Sequence, residues 1–345
     1  MNRPMSEDLK AVLATLLNTP KPFTLTKLAG EASYREYYRL QFDSKQSLIA
    51  MKMPTGFSSV SEEVTKSSKK ITELPFINVQ KYLKSLGLPV PEIVTYSHKD
   101  GILILEDFGD ESLEAAIRKG NMASLYEDAT TLLALLQKKT RENPDPICCA
   151  TYKKFDEELL TWELNHFLEY GIEDRMGIKV SATDREKFQV LFSQLAGEIA
   201  AMPQGFVHRD YQSRNLIVLN GALHIIDFQD ALMGPQLYDL VALLRDSYIA
   251  IPPDLLENLI RNFIKKVDKG HPYFGKEKEA FDHFDLITIQ RKLKDTGRFQ
   301  YIKTVKKNPN FLKNVPTSLS YVREALGRQK KYGTLTSLIA KYIPL

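Results

Sequence analysis

Cysteine is nearly missing from this 345-residue chain, which has two, Cys148 and Cys149. Adjacent cysteines make a strained disulfide that closes almost no loop, so a disulfide-built fold is excluded and a cytoplasmic setting is expected. With no histidine near them a zinc site is not expected either, which leaves burial as small apolar side chains. No apolar run approaches the roughly 20 residues of a membrane-spanning helix. The first residues, MNRPMSEDLKAVLATLLNTP, carry acids where a secretory leader needs bases, and their apolar positions are spaced helically. An excess of one charge is lacking too: 47 basic and 43 acidic residues, spread along the chain, leave a net +4. That balance asks for no nucleic acid or anionic membrane partner, and no segment suggests an obligate protein partner.

What is present divides in character. A first helix over about 6–17 precedes three strand-like runs, FTLTKLAG, YYRLQF and LIAMKMP. Residues 55–73 are rich in Ser, Lys and Glu and read as a connection to the helix LPFINVQKYLKSLG, which Gly87 should stop. Two more strand candidates follow, IVTYSH and GILILEDF. Beyond about residue 111 the pattern is mainly helical, broken by LIVL and ALHIID around an Asn220-Gly221 hairpin turn. The expected organisation is α+β, with a β-rich nucleotide-binding lobe over 1–108 and a larger helical lobe over 109–345.

The chemistry concentrates in VHRDYQSRNLIVLNGALHIIDFQD, residues 207–230. His208-Arg209-Asp210, four residues and then Asn215 has the spacing of a kinase catalytic loop, in which the Asp accepts the proton of the acceptor hydroxyl and the Asn binds Mg²⁺. Asp227 closes the second strand of the hairpin, so 215 and 227 should return to one end. There an amide oxygen and a carboxylate oxygen can hold an octahedral Mg²⁺ that bridges ATP phosphates. Each residue alone is explained as a capping Asp or a turn Asn; the three together on a strand-turn-strand frame are not. Upstream, Lys52 in a strand can pair with the α and β phosphates. Its carboxylate partner is open among Glu62, Glu63 and Glu73. GEASYREYYRL stands where a phosphate-covering loop belongs but has one glycine, Gly30; backbone amides from Ala32 to Arg35, the Ser33 hydroxyl and Arg35 can cradle phosphate, or the stretch is an ordinary turn. By position alone, the backbone at Glu106 and Phe108 would face an adenine edge.

Together these stretches resemble the aminoglycoside phosphotransferase superfamily, the small-molecule branch of the bilobal protein-kinase-like fold. Within it the chain is most similar to the anomeric N-acetylmuramate and N-acetylglucosamine kinases of cell-wall recycling. The resemblance is carried by GEASYREYYRL, LILEDFGD, VHRDYQSRNLIV, IIDFQDALMGPQLYDLVALLRDSY and QRKLKDTGRFQYI. It implies Asp210 as catalytic base, Asn215 and Asp227 as Mg²⁺ ligands and Lys52 as the phosphate-pairing lysine. It also implies loop-shaping roles for His208 and Arg214, with Arg214 also neutralising developing charge, and a structural role for Asp239 in pinning the helix after Gly234-Pro235. Gln229 departs from the glycine of a protein kinase, and the few residues between Asp227 and Gly234 leave no room for an activation loop. A small acceptor is expected rather than a protein.

For that acceptor, EELLTWELNHFLEYGI offers Glu163 and His166 beside Trp162 and Phe167, a set that can bind a sugar or form the polar face of an amphipathic helix. Arg291 and Lys294 can meet a lactyl carboxylate or face solvent. Another small acceptor, such as an aminoglycoside, choline or homoserine, and a nucleotide-binding pseudokinase are the alternatives.

Overall fold

The computed structural model describes residues 5–28, 35–43, 46–54 and 73–345. They belong to two compact units, Met1–Ser61 with Pro89–Asp110, and Glu62–Leu88 with Glu111–Leu345. The order is α+β, with an antiparallel sheet first and helices after it.

In the first unit, α1 (Met5–Leu16) precedes β1 (Phe23–Lys27), β2 (Glu36–Phe42) and β3 (Ser47–Lys52); β4 (Ile93–Ser97) and β5 (Ile102–Glu106) complete an antiparallel sheet ordered β1-β2-β3-β5-β4. Alternate residues of a strand share a face. Leu40 and Phe42 of β2, and Ile102 and Ile104 of β5, accordingly join Leu9 and Leu13 of α1 in one apolar core. Arg39 of β2 forks onto Asp107 at 2.6 and 3.0 Å and reaches Asp110 at 2.6 Å, fixing the segment after β5. Burial pushes the Asp107 carboxyl up, but Arg39 and the Gly109 amide outweigh it and hold it below its ordinary value.

The second unit begins with α2 (Pro75–Ser85), which ends at Gly87 with φ +72. A helix that sequence position assigns to the β-rich lobe thus packs with the helical one. Asn78 accepts the Cys149 amide at 2.6 Å, the Tyr82 hydroxyl donates to the Asn143 carbonyl at 2.9 Å, and Phe76 meets Phe228 with ring centroids 4.8 Å apart. Helices α3 (Leu113–Lys119), α4 (Met122–Glu142) and α5 (Glu157–His166) follow, the last running into a π-helical stretch over Phe167–Asp174. After α6 (Ala182–Ala200) come β6 (Gln204–Val207), β7 (Leu216–Leu219), β8 (Ala222–Ile225) and β9 (Leu232–Pro235). They pair antiparallel as β6 with β9 and β7 with β8. Helices α7 (Tyr238–Leu244), α8 (Pro253–Lys266), α9 (Glu277–Thr304), α10 (Val315–Arg328) and α11 (Gly333–Ala340) close the unit. The 28-residue α9 is buried on nearly every side, Arg291 and Lys292 included. Its Gly297 lies so close to the π-helical stretch that an added Cβ would stand 2.5 Å from the His166 carbonyl oxygen. Among the described residues no helix is long and apolar enough to cross a membrane.

Candidate active site

Asn220 and Gly221 join β7 to β8 at φ +52 and +79, the two left-handed positions that a two-residue hairpin demands. Past the last strand pair, Leu216 with Ile225, the Ile226 amide donates to the Asn215 carbonyl at 3.0 Å. Asn215 and Asp227 therefore stand at the same end of the hairpin. The Asn215 side-chain amide donates to the Asp210 carbonyl at 2.9 Å. His208, wholly buried and kept neutral by that burial, lies with its Nε2 3.0 Å from the Ile226 carbonyl. Nε2 is then the protonated nitrogen, because only an N–H can satisfy a carbonyl. Asp210, Asn215 and Asp227 are thus joined through residues 208 and 226.

Two buried carboxylates hold the backbone of this loop. Asp239, in the first turn of α7, accepts the amides of His208 at 2.7 Å and Arg209 at 2.9 Å. Asp246, just beyond α7, accepts the Ser213 amide at 3.0 Å, the Ser213 hydroxyl at 2.5 Å and the Tyr248 amide at 3.1 Å. Burial raises both carboxyls above their ordinary values despite these donors. Asp239 was expected to pin its own helix; it pins the His208-Arg209 backbone instead, since its oxygens are taken by amides 30 and 31 residues upstream. Two loop residues are bent into the left-handed region without being glycine, Arg209 at φ +80 and Asp227 at φ +65. Such strain survives only where surrounding contacts over-determine it, as these do.

Charge is arranged around Asp210 from α5 and α9. Arg209 donates to Glu163 at 2.9 Å, and Gln290 donates to the other Glu163 oxygen at 2.7 Å. Arg291, fully buried, donates to the Arg209 carbonyl at 2.9 Å and pairs with the Asp210 carboxylate at 3.5 Å. The Asp210 side chain is itself 38% exposed, so an acceptor can reach it. Burial pushes its carboxyl up, but Lys294, Arg291 and Arg209 together hold it below its ordinary value, ionised at neutral pH.

This geometry corrects three expectations. Glu163 is 1% exposed with both oxygens engaged, so it is an internal partner of Arg209 rather than an acceptor ligand. Arg291 does not meet solvent: it is fully buried, and its guanidinium holds the Arg209 carbonyl and the Asp210 carboxylate. Arg214 donates to Glu114 at 2.6 Å and stacks 3.6 Å over the Tyr248 ring, a geometry that braces the loop and already gives its charge a carboxylate. His166 is half-buried in an aromatic group with Trp162 at 4.3 Å, Tyr170 at 5.3 Å and Tyr301 at 5.8 Å between ring centroids. Lys294 keeps a 14% exposed side chain.

The residues expected at the nucleotide lie in the first unit. Lys52 ends β3, opposite Glu36 on one side and Ile102 on the other. Glu106 pairs with Leu48, four residues along the same strand pair, about 13 Å from the Lys52 position at the usual strand rise. Its amide already donates to the Glu92 carbonyl at 2.9 Å. Phe108 is buried, and Arg35 is half-buried just ahead of β2. Ser33, Gly30, Glu62 and Glu63 lie outside the described residues. Glu73 pairs with Lys81 at 2.5 Å.

Among the described residues no group of three or more His, Cys, Asp or Glu could hold a metal. Asn215 and Asp227 instead offer one amide oxygen and one carboxylate. The Asn215 amide nitrogen is spent on Asp210, so its oxygen is the end left to bind. Such a sparse, all-oxygen set suits Mg²⁺, which keeps several waters and takes further oxygens from phosphates.

A model described as phosphotransferase enzyme family matches residues 24–273. Among relatives, an N-acetylmuramate/N-acetylglucosamine kinase of Neisseria meningitidis serogroup B is 29% identical over 94% of this chain and 92% of its own length. A protein of the same name from Pseudomonas aeruginosa is 28% identical over 92% and 88%. Among solved structures, the choline kinase LicA from Streptococcus pneumoniae superposes with a TM-score of 0.61 at 16% identity, covering 93% of this chain and 99% of that one. That likeness is one of fold, and the fold is protein-kinase-like.

Proposed function

Because the chain belongs to the phosphotransferase enzyme family, we propose that it is an ATP- and Mg²⁺-dependent kinase for the anomeric hydroxyl of N-acetylmuramate or N-acetylglucosamine. The observation that carries the kinase reading is the state of Asp210: an ionised carboxylate, open to an acceptor, on a loop that Asp239 and Asp246 hold from behind. The acceptor is suggested by the names of the relatives, which match nearly the whole chain.

Mg²⁺-ATP, when bound, would supply the γ-phosphoryl group; Asn215 and Asp227 are the residues we assign to the metal, and Lys52 is the one we assign to the α and β phosphates. Asp210 orients the sugar hydroxyl and takes its proton as the new O–P bond forms and the bond to the ADP oxygen breaks. A carboxylate held below its ordinary pKa is a weak base, which suits a loose transition state where positioning matters more than deprotonation. Lys52 and Glu106, spaced by four strand residues, fit the phosphate and adenine ends of one nucleotide. Arg35 and Phe108 are the further nucleotide contacts, and His166 with its aromatic neighbours is the surface we assign to the sugar ring.

A polycationic acceptor fits less well, because the acids of residues 152–175 are largely engaged. Asp156 caps α5, Glu157 takes Ser193, Glu163 takes Arg209, Glu173 takes Arg185, and Asp174 takes Gln300 and Thr304. The test is ADP release from Mg²⁺-ATP with a panel of amino sugars, amino alcohols and aminoglycosides, run beside Asp210→Ala. Stimulation by the two N-acetyl sugars, lost in Asp210→Ala, is expected. No acceptor raising ADP release above Asp210→Ala overturns the kinase reading and favours a nucleotide-binding regulator.

A further inference from the structure

Gln229 stands directly after Phe228 of the metal-site segment and is 3% exposed. Its side-chain nitrogen donates to Asp227 Oδ1 at 2.9 Å and to Asp230 Oδ2 at 3.0 Å. Carboxylates only accept, so the amide must turn its NH₂ toward both of them and its orientation is fixed by chemistry. That leaves Oε1 buried, with no hydrogen-bond partner among the described residues. An unpaired buried acceptor costs stability, by about 1–3 kcal/mol. The two charge-assisted bonds to Asp227 and Asp230 offset that cost. What the orientation achieves is local: two half-buried carboxylates are gathered on one donor group, close enough to repel. Phe228, wholly buried against Phe76, anchors the segment between them.

We propose that Gln229 is a positioning residue for the divalent cation, clamping Asp227 and Asp230 as a pair, and that Asp230 is the second carboxylate of that site. This rests on the kinase reading of Asn215 and Asp227. A neutral amide can hold the two acids at their spacing without neutralising either, so their joint charge is kept for a cation of charge +2. A glycine here would remove the donor group that Asp227, at φ +65, shares with Asp230. Ligating carboxylates are ordinarily held by such hydrogen bonds, and loss of one costs about 10- to 100-fold in metal affinity.

The experiment is Mn²⁺ binding, followed by electron paramagnetic resonance with a non-hydrolysable ATP analogue present, so no turnover is read. Gln229→Met keeps the side-chain length, removes both the NH₂ and the orphan oxygen, and should leave the denaturation midpoint near wild type. It is expected to weaken Mn²⁺ binding 10-fold or more, as is Asp230→Asn, whose half-buried position protects the fold if Gln229→Met does not express. Wild-type affinity in a folded Gln229→Met overturns the positioning role, and wild-type affinity in Asp230→Asn overturns the assignment of the second carboxylate. Asp227→Asn separates this from the underlying reading: if it alone loses Mn²⁺, only the clamp is wrong, and if it too binds normally, the metal site itself is misplaced.

Discussion

Replacing Arg291 by methionine removes a fully buried cation that touches both the Arg209 carbonyl and the Asp210 carboxylate. Two losses follow. The Arg209 carbonyl loses a 2.9 Å charge-assisted donor, and the Asp210 carboxylate loses a cation at 3.5 Å while the burial that pushes its pKa up is unchanged. Breaking a wholly buried pair costs about 3–5 kcal/mol. Asp210 is 38% exposed and water takes up part of its charge, so about 2–4 kcal/mol is the expectation. Methionine fills most of the volume, so the fold should persist. The sign of the pH effect follows from the depressed Asp210 carboxyl. Its stabilisation is present above the unfolded pKa and disappears as pH falls through the folded value. Without Arg291 the folded value rises, so the acid limb of kcat/KM moves to higher pH. A reacting group displaced by an ångström costs about 100-fold in rate, and kcat should fall by roughly 10- to 100-fold at neutral pH. Arg291→Lys, which keeps the charge but not the fork, should fall between. The measurements are urea unfolding and kcat/KM against pH. A folded Arg291→Met with the wild-type acid limb and kcat would refute the reasoning.

Asp239→Asn can accept only one of the two amides it now holds, so it should lower stability by about 1–3 kcal/mol and kcat far more than KM, read in denaturation and steady-state kinetics. Gly297→Ala sets a Cβ 2.5 Å from a backbone carbonyl, which cannot yield as a side chain would; a loss of about 1–3 kcal/mol in unfolding free energy is expected. His271 is 4% exposed, accepts the Tyr273 amide through Nδ1, and its folded pKa is pushed down to about 4 by burial and then Arg141, against 6.5 ordinarily. The unfolded chain binds that proton first, so stability is lost as pH falls from 6.5 to about 4, by up to about 3 kcal/mol at 1.4 kcal/mol per pH unit. Urea midpoints across that range should drop less steeply in His271→Met.

The hairpin and its three polar residues were legible because their signals are local. Asn220-Gly221 is among the few pairs that readily take the two left-handed positions of a tight hairpin, and the interval from Asp210 to Asn215 is one loop. The strands were legible by their β-rich runs, except β6 and β9: QGFV and LMGP carry glycine or proline and show no alternation, and Gly234-Pro235 reads as a turn. What supports the site was not legible. Arg291, Lys292 and Lys294 look in sequence like one charged face in water, and only the packing of α9 turns them inward, 82 residues from the carbonyl that Arg291 holds. Glu163 reads as a polar helix position for the same reason. Asp246, inside the apolar run of LVALLRDS, offered the one usable signal: an acid in such a run must find buried donors.

The central claim is tested most directly by the product. Phosphorus NMR of the reaction of N-acetylmuramate or N-acetylglucosamine with Mg²⁺-ATP should show a sugar phosphate whose phosphorus couples to the single anomeric proton, with the reducing end lost. A product that still reduces, with phosphorus coupled to the two C-6 protons, or an unchanged ATP spectrum, would contradict it.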